Sequence, residues 1–186
     1  MAITASETAV PATGVRSVMM DEAAFACFYR RTARPLRGFL LRSLGDPALA
    51  DDLLQESFLR LLRSDFETDD EQHRKNYLFR IASNLVKDHF RRRRPEDTLS
   101  GDPARRSPGS GEVDLRTDVS KALGDLAPRD RQMLWLAYVE GSSHSEIADI
   151  LGLKTASLKS MLSRARSRLA AQLRRLGLQP MGRGRT

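Results

Sequence analysis

Asp51-Asp52-Leu53-Leu54-Gln55-Glu56 and, downstream of it, Tyr77-Leu78-Phe79-Arg80-Ile81-Ala82-Ser83-Asn84-Leu85 running on to Arg91-Arg92-Arg93-Arg94 decide how this chain is read. Both stretches repeat their apolar residues at helical spacing. In the first, Leu53, Leu54, Phe58, Leu61 and Leu62 share one face of a helix predicted from Ala48 to about Arg63. Asp51 with Gln55 and Asp52 with Glu56 then form (i, i+4) rows on the other face. The second stretch predicts a helix from near Lys75 that ends by Arg94, because Pro95 has no N–H to donate and disfavours helix in the residue before it. An acidic face suits a protein partner, and a basic helix bearing aromatic rings suits a nucleic-acid strand.

Upstream, Phe25, Phe28, Tyr29, Leu36, Phe39, Leu40 and Leu44 fit two helical segments, with Pro35 as their joint or as a first-turn residue and Gly45-Asp46-Pro47 as a stop. Between the two deciding stretches, Ser64 to Arg74 reads as an acidic loop holding Asp65, Glu67, Asp69, Asp70 and Glu71. Residues 1–20 are small, polar and punctuated by Pro and Gly, a disordered leader in which Met19 and Met20 leave a later start open. Residues 95–114 contain almost no large apolar side chain and read as a linker.

Past the linker the helical period returns. Leu115, Val119, Leu123 and Leu126 mark one helix, and Pro128 opens the next, which carries Met133, Leu134, Leu136 and Ala137 toward a core and ends near Gly141. Ser143-His144-Ser145-Glu146 has the form of a capping box. It starts a short helix bearing Ile147, Ala148, Ile150 and Leu151, which Gly152 closes with a left-handed turn. A longer helix from Thr155 carries Leu158, Leu162, Leu169 and Leu173 inward. A short helix, a tight glycine turn and a longer basic helix form a helix-turn-helix, whose second helix fits the DNA major groove. The fold expected is therefore all-α, with two small helical domains at 21–94 and 115–176 and a basic tail at 177–186.

Charge supports a polyanionic partner. The chain of 186 residues holds 31 Lys and Arg against 24 Asp and Glu, a formal net charge of +7, and no acidic residue follows Asp149. Cys27 is the one cysteine, so an internal disulfide and a cysteine-based zinc site are both excluded, and Cys27 reads as a small core residue. No apolar stretch approaches the roughly twenty residues that span a bilayer, and no signal-peptide pattern opens the chain, so a cytoplasmic protein without membrane insertion is expected. No heptad repeat favours a coiled-coil dimer, which leaves a monomer as the expected free state.

Taken in order, these motifs resemble the extracytoplasmic-function (ECF) group of bacterial sigma factors over about residues 21 to 175. The resemblance rests on Ala50-Asp51-Asp52-Leu53-Leu54-Gln55-Glu56-Ser57-Phe58, on Tyr77 to Asn84, on Asp88 with its following arginines, on Glu146-Ile147-Ala148 with Leu151-Gly152, and on Leu158-Lys159-Ser160 with Leu162-Ser163-Arg164-Ala165-Arg166. It implies a sigma region 2-like domain that docks on core RNA polymerase and captures the melted minus-ten promoter element, and a region 4-like helix-turn-helix that reads the minus-thirty-five duplex. It assigns Asp51, Asp52, Gln55 and Glu56 to polymerase. Tyr77, Arg80, Asn84, Lys87, Asp88, Arg91 and Arg92 fall to the minus-ten strand, and Ser157, Lys159, Ser160, Arg164 and Arg166 to the minus-thirty-five element. It also implies that the acidic loop helps form a pocket for a flipped base, that an anti-sigma factor is a partner, and that the action is binding and not catalysis, with no cofactor and no metal. Tyr77 stands where the group commonly has tryptophan, Ser142 where a large apolar residue is common, Ser157-Leu158 where Thr-Val is usual, and Met161 where arginine is frequent.

Simpler readings exist for each group. The four acidic-face residues alone would be a solvated helix face, and no histidine near them supports a metal site. Tyr77 and Phe79 alone would be core, and Asp88 with Arg91 an intrahelical pair. A polymerase-independent helix-turn-helix repressor would account for the second half only, and a nuclease using Asp51, Asp52 and Glu56 for little of either.

Overall fold

The computed structural model describes residues 21–93 and 115–178. Among them there are seven helices and no strand: α1 (Glu22–Leu44), α2 (Pro47–Arg63), α3 (Glu71–Arg92), α4 (Leu115–Gly124), α5 (Pro128–Tyr138), α6 (His144–Leu151) and α7 (Thr155–Arg175). The expected leader, the linker, Arg94 and the tail beyond Leu178 lie outside the described residues, as does the Leu115 side chain.

α1 is one helix, where the sequence predicted two segments. Pro35 sits inside it, because Phe28, Thr32, Leu36, Phe39, Leu40 and Ser43 form one uninterrupted buried stripe that packing holds in register through the proline. Asp21 caps its start, and Gly45, at φ 75°, takes the left-handed turn that reverses the chain into α2. Asp46 caps α2, and Pro47 occupies the first turn, where a missing N–H costs nothing. α2 buries Leu54, Phe58 and Leu61, but Leu62, expected on the same face, is 46% exposed. At 100° per residue the apolar set is too wide for the strip that α1 and α3 cover, and Leu62 falls at its edge.

α3 begins at Glu71, four residues before the predicted start. Asp70 is its N-cap and accepts from the backbone N–H groups of Gln72 and His73, so the acidic segment is split into a loop of 64–70 and the first turn of a helix. Cys27 is exposed on α1, which corrects its expected core position. The neighbouring Phe28 takes the buried place, one helical step round the axis.

The capping box of α6 is complete: Ser143 Oγ accepts from the Glu146 N–H at 3.3 Å, and Glu146 Oε2 accepts from the Ser143 N–H at 2.8 Å. Gly152, at φ 65° and ψ 48°, then turns the chain into α7, completing the helix-turn-helix. α5 supports it from below: Asp130, its side chain 7% exposed, receives Arg168 of α7 at 2.6 Å.

Each set of helices was expected to close its own core. Instead one buried cluster joins Phe28, Leu36, Phe39, Leu78 and Phe79 of the first three helices to Met133, Leu136, Ile147, Leu151 and Leu158 of the last three. α1 packs on α5 and α3 on α6, so the two domains are in face-to-face contact.

Candidate nucleic-acid interface

On α3, Tyr77, Arg80, Asn84, Lys87, Asp88 and Arg91 recur every three or four residues and therefore share one stripe, with Arg92 beside it. Arg80, Asn84, Arg91 and Arg92 are exposed, and Tyr77 and Asp88 half-buried. Opposite this stripe, Leu78, Phe79, Ala82, Leu85 and Val86 are buried and hold the helix down. Tyr77 is neither plain core nor a free platform: its ring lies flat on Phe66, with centroids 3.9 Å apart and planes 10° apart, and the His73 ring meets Phe66 edge-on at 5.1 Å. The loop 64–70 is thereby tied to the helix it precedes. Arg74 adds a side-chain hydrogen bond to the Thr68 carbonyl. Asp88 pairs with Arg91 at 3.1 Å, the intrahelical pair that spacing alone allows.

Lys87 is drawn out of the set. Its ammonium donates to the Leu151 carbonyl at 2.8 Å, at the C-terminal end of α6, where the orphan carbonyls and the helix dipole favour a cation. Partial burial, followed by the neighbouring Arg129 and Arg80 charges, lowers its pKa from the ordinary lysine value.

On α7, Ser157, Lys159, Ser160, Arg164 and Arg166 are all exposed, while Leu158, Leu162 and Ala165 are buried on the opposite side. Ser160 Oγ donates back to the Ser157 carbonyl at 2.9 Å, which keeps that side chain flat against the helix and leaves room for close approach. Arg166 donates to the Tyr138 hydroxyl at 3.2 Å, so of the three cations it alone is steered toward α5.

On α2 the acidic rows are unequal. Asp51 is gripped at both carboxylate oxygens by Arg37 of α1, at 2.5 and 2.9 Å, and that hydrogen bonding is the main reason its pKa lies below the ordinary carboxylate value. Glu56 pairs with Arg60 one turn on, at 2.6 Å. Asp52 and Gln55 are exposed without an ion pair or hydrogen bond from another described residue. Beside them lie residues that charge reasoning missed: Leu59 and Leu62 are exposed, as is Tyr29 of α1, whose ring packs 4.7 Å from that of Phe58. Gln55, Leu59 and Leu62 are spaced i, i+4, i+7, so the polar row runs directly into an apolar one. Among the described residues no group of His, Cys, Asp or Glu is arranged to hold a metal ion, and no helix is long and apolar enough to cross a membrane.

The Sigma-70 region 2 family model matches residues 28–96, and the Sigma-70 region 4 model matches residues 116–169. The RNA polymerase sigma factor CarQ of Myxococcus xanthus is 31% identical over 161 residues, spanning 84% of this chain and 92% of CarQ. The ECF RNA polymerase sigma factor SigM of Bacillus subtilis is 33% identical over 140 residues, 72% of this chain and 85% of SigM. Among solved structures, the sigma factor RpoE in complex with the anti-sigma factor NepR from Bartonella quintana matches with a TM-score of 0.63 at 27% identity, over 81% of this chain and 96% of that one. CnrH in complex with the cytosolic domain of CnrY matches with a TM-score of 0.63 at 26% identity, over 86% and 93%.

Proposed function

The chain belongs to the ECF group of the sigma-70 family, which directs RNA polymerase to promoters, and on that premise we propose how its residues divide the work. Residues 21–94 form the unit that docks on core RNA polymerase and holds the opened minus-ten strand. Residues 115–176 form the unit that reads the minus-thirty-five duplex, 95–114 join the two, 177–186 are a basic tail and 1–20 a leader.

Asp52 and Glu56, with Gln55, meet a basic polymerase surface, and Leu59 and Leu62 extend that contact with apolar area. Asp51 acts through Arg37, fixing α2 against α1. The stripe from Tyr77 to Arg91 faces the single strand. Tyr77, backed by Phe66, offers a rigid ring edge to unstacked bases, Asn84 can donate to and accept from a base edge, and Arg80, Arg91 and Arg92 meet phosphates. Lys87 and Asp88 join this set once their present partners release them. On α7, Lys159 and Arg164 reach the upstream duplex, Ser157 and Ser160 let the helix come close, and Arg166 contacts phosphate from the Tyr138 side. Strand opening is driven by binding, so the protein is a DNA-binding regulator of initiation and not an enzyme, and it works in the cytoplasm. Because the two similar solved structures carry bound partners, one of them named as an anti-sigma factor, we assign an anti-sigma protein as a further partner here.

The observation that carries this reading is that one chain joins two helices with exposed basic and polar stripes, α3 and α7, to an exposed acidic and apolar face on α2. A free-standing repressor would need α7 alone. The test is transcription from a cognate promoter by core polymerase with the full chain, with permanganate detection of unpaired thymines. Wild type should start transcripts and open the promoter. Asn84→Ala should keep upstream duplex protection and lose opening. DNA binding without polymerase-dependent transcripts would return the repressor.

A further inference from the structure

Beside the contact between α1 and α5 lies a cavity of about 510 Å³, within the range of small-molecule sites. Trp135 of α5 forms one wall. Its benzo edge rests on Gly38 of α1, where a Cβ would come within 2.6 Å of ring carbon Cη2, so the indole reaches α1 only because that residue is glycine. The indole N–H donates to Glu140 Oε1 at 3.3 Å, which fixes the ring at a second point. Pro35 and the exposed Val139 complete the apolar lining.

The charged lining is unequal. Glu140 is already neutralised, because Lys75 of α3 pairs with its other oxygen at 2.8 Å, and its side chain is 7% exposed. Arg37 commits Nε and Nη2 to the two carboxylate oxygens of Asp51, which leaves the N–H donors of Nη1 unused. Arg34 is exposed and has no ion pair or hydrogen bond from another described residue. The cavity therefore offers one uncommitted guanidinium, further N–H donors one helical turn along, and apolar walls. A single positive charge matches one carboxylate, which a guanidinium grips through parallel N–H donors, and is too little for a chain of phosphates. A partner helix, about 10 Å across, would fit little more than one turn into this volume. No lining residue belongs to α3 or α7, so the cavity is separate from the basic stripes of both.

We propose that this cavity binds a small carboxylic acid with a flat apolar body. Its carboxylate meets Arg34 and the Nη1 group of Arg37, and its body lies along Trp135, Pro35 and Val139. Removal of the apolar body from water drives entry, and the guanidinium sets the orientation. Arg37 is shared, since it also fixes Asp51 of α2 beside the outward-facing Asp52. A bound acid thus borders the face assigned above to polymerase, which gives a dissolved acid a route to act on docking.

The test uses the isotope-labelled full chain and the indole N–H resonance of Trp135, which is unambiguous because the chain has one tryptophan. Naphthoate should shift that resonance saturably at about 0.15 M salt, where long-range attraction to a chain of net charge +7 is screened. Half-saturation should fall at about 1 mM or below, an affinity within reach of a ligand of this size. Naphthamide keeps the body and loses the charge, and acetate keeps the charge and loses the body. Each should bind at least about ten-fold more weakly than naphthoate. Arg34→Ala should weaken naphthoate by a similar factor with helix content unchanged. Arg30→Ala, which removes an exposed charge outside the lining, should stay within about two-fold of wild type. No saturable shift, equal binding of naphthamide, or wild-type binding by Arg34→Ala would overturn the assignment. Equal losses in Arg34→Ala and Arg30→Ala would overturn it as well, by reducing the binding to general attraction toward a basic surface. The titration needs neither polymerase nor promoter, so a wild type that fails to start transcripts would strike the function assigned above and leave the cavity to be decided by the resonance.

Discussion

Arg37 holds both carboxylate oxygens of Asp51, at 2.5 and 2.9 Å, so the first acid of the Asp51-Asp52 pair is turned inward to its own protein and the second outward. Two adjacent residues of one type thus do different jobs. Helical geometry puts them 100° apart, one toward α1 and one toward solvent.

Docking on core polymerase should follow that split. Charge reversal at Asp52 and Glu56 together should weaken association about ten-fold or more at moderate salt with the thermal midpoint nearly unchanged. Asp51→Asn should instead act on the fold, lowering the thermal midpoint slightly with co-elution unchanged, because this pair is about half-exposed and screened by solvent. Co-elution with core polymerase and thermal denaturation separate the two effects. Equal co-elution of the Asp52/Glu56 variant with wild type would remove α2 from the docking face.

The helices were legible because their signals are local: the Gly45-Asp46-Pro47 break, the Gly152 stop and the Ser143–Glu146 box each lie within one turn of what they control. The start of α3 was missed because Asp70 and Glu71 read as loop acidity, although an aspartate followed by a glutamate is also how a helix begins. The exposed polar and basic stripes of α3 and α7 follow from helical spacing, but the diversion of Lys87 to Leu151 and of Asp51 to Arg37 does not. Those partners are 64 and 14 positions away, and no local pattern encodes such a pairing. The contact between domains was invisible for the same reason. No local pattern marks Trp135 or Gly38 as a contact, and it is the fold that places one on the other.

The capping box should carry measurable stability. Ser143→Ala removes the acceptor for the Glu146 N–H and should cost about 1 kcal/mol. Ser143→Asp should keep most of it. Urea denaturation followed by circular dichroism reads both, and an alanine variant as stable as wild type would mean that tertiary packing alone fixes the start of α6.

Upstream duplex binding should depend on Lys159 and Arg164 through phosphate. Replacing both with alanine should weaken binding to a minus-thirty-five duplex and flatten the salt dependence, each lost phosphate contact reducing the slope of log K against log salt by about 0.9. Arg166→Ala should have a smaller effect, since its guanidinium is directed to Tyr138. Affinity measured from low to moderate salt on specific and scrambled duplexes gives the answer. A loss confined to the specific duplex, with the slope unchanged, would make these two side chains base readers.

Glu146 ties the helix-turn-helix to α3, and its titration should report that tie. Its pKa is lowered from 4.5 to about 2, first by the hydrogen bond from Asn76, then by the Ser143 backbone N–H, with Gln72 adding a smaller contribution and partial burial opposing all three. A carboxyl whose folded pKa lies below its unfolded value stabilises the fold fully above about pH 4.5, and that stabilisation is lost as pH falls toward 2. Two of the donors, Asn76 and Gln72, belong to the opposite domain, and Ser143 to its own. Asn76→Ala should therefore raise the pKa toward the ordinary glutamate value without abolishing the shift, because the Ser143 N–H remains. Lys75→Glu, which leaves every one of these donors in the chain, should produce a similar rise only if it separates α3 from α6. Carboxyl-carbon NMR titration of Glu146 in wild type and both variants resolves the two routes. An upward shift in Asn76→Ala with none in Lys75→Glu would show that the Lys75–Glu140 pair does not control the contact between α3 and α6.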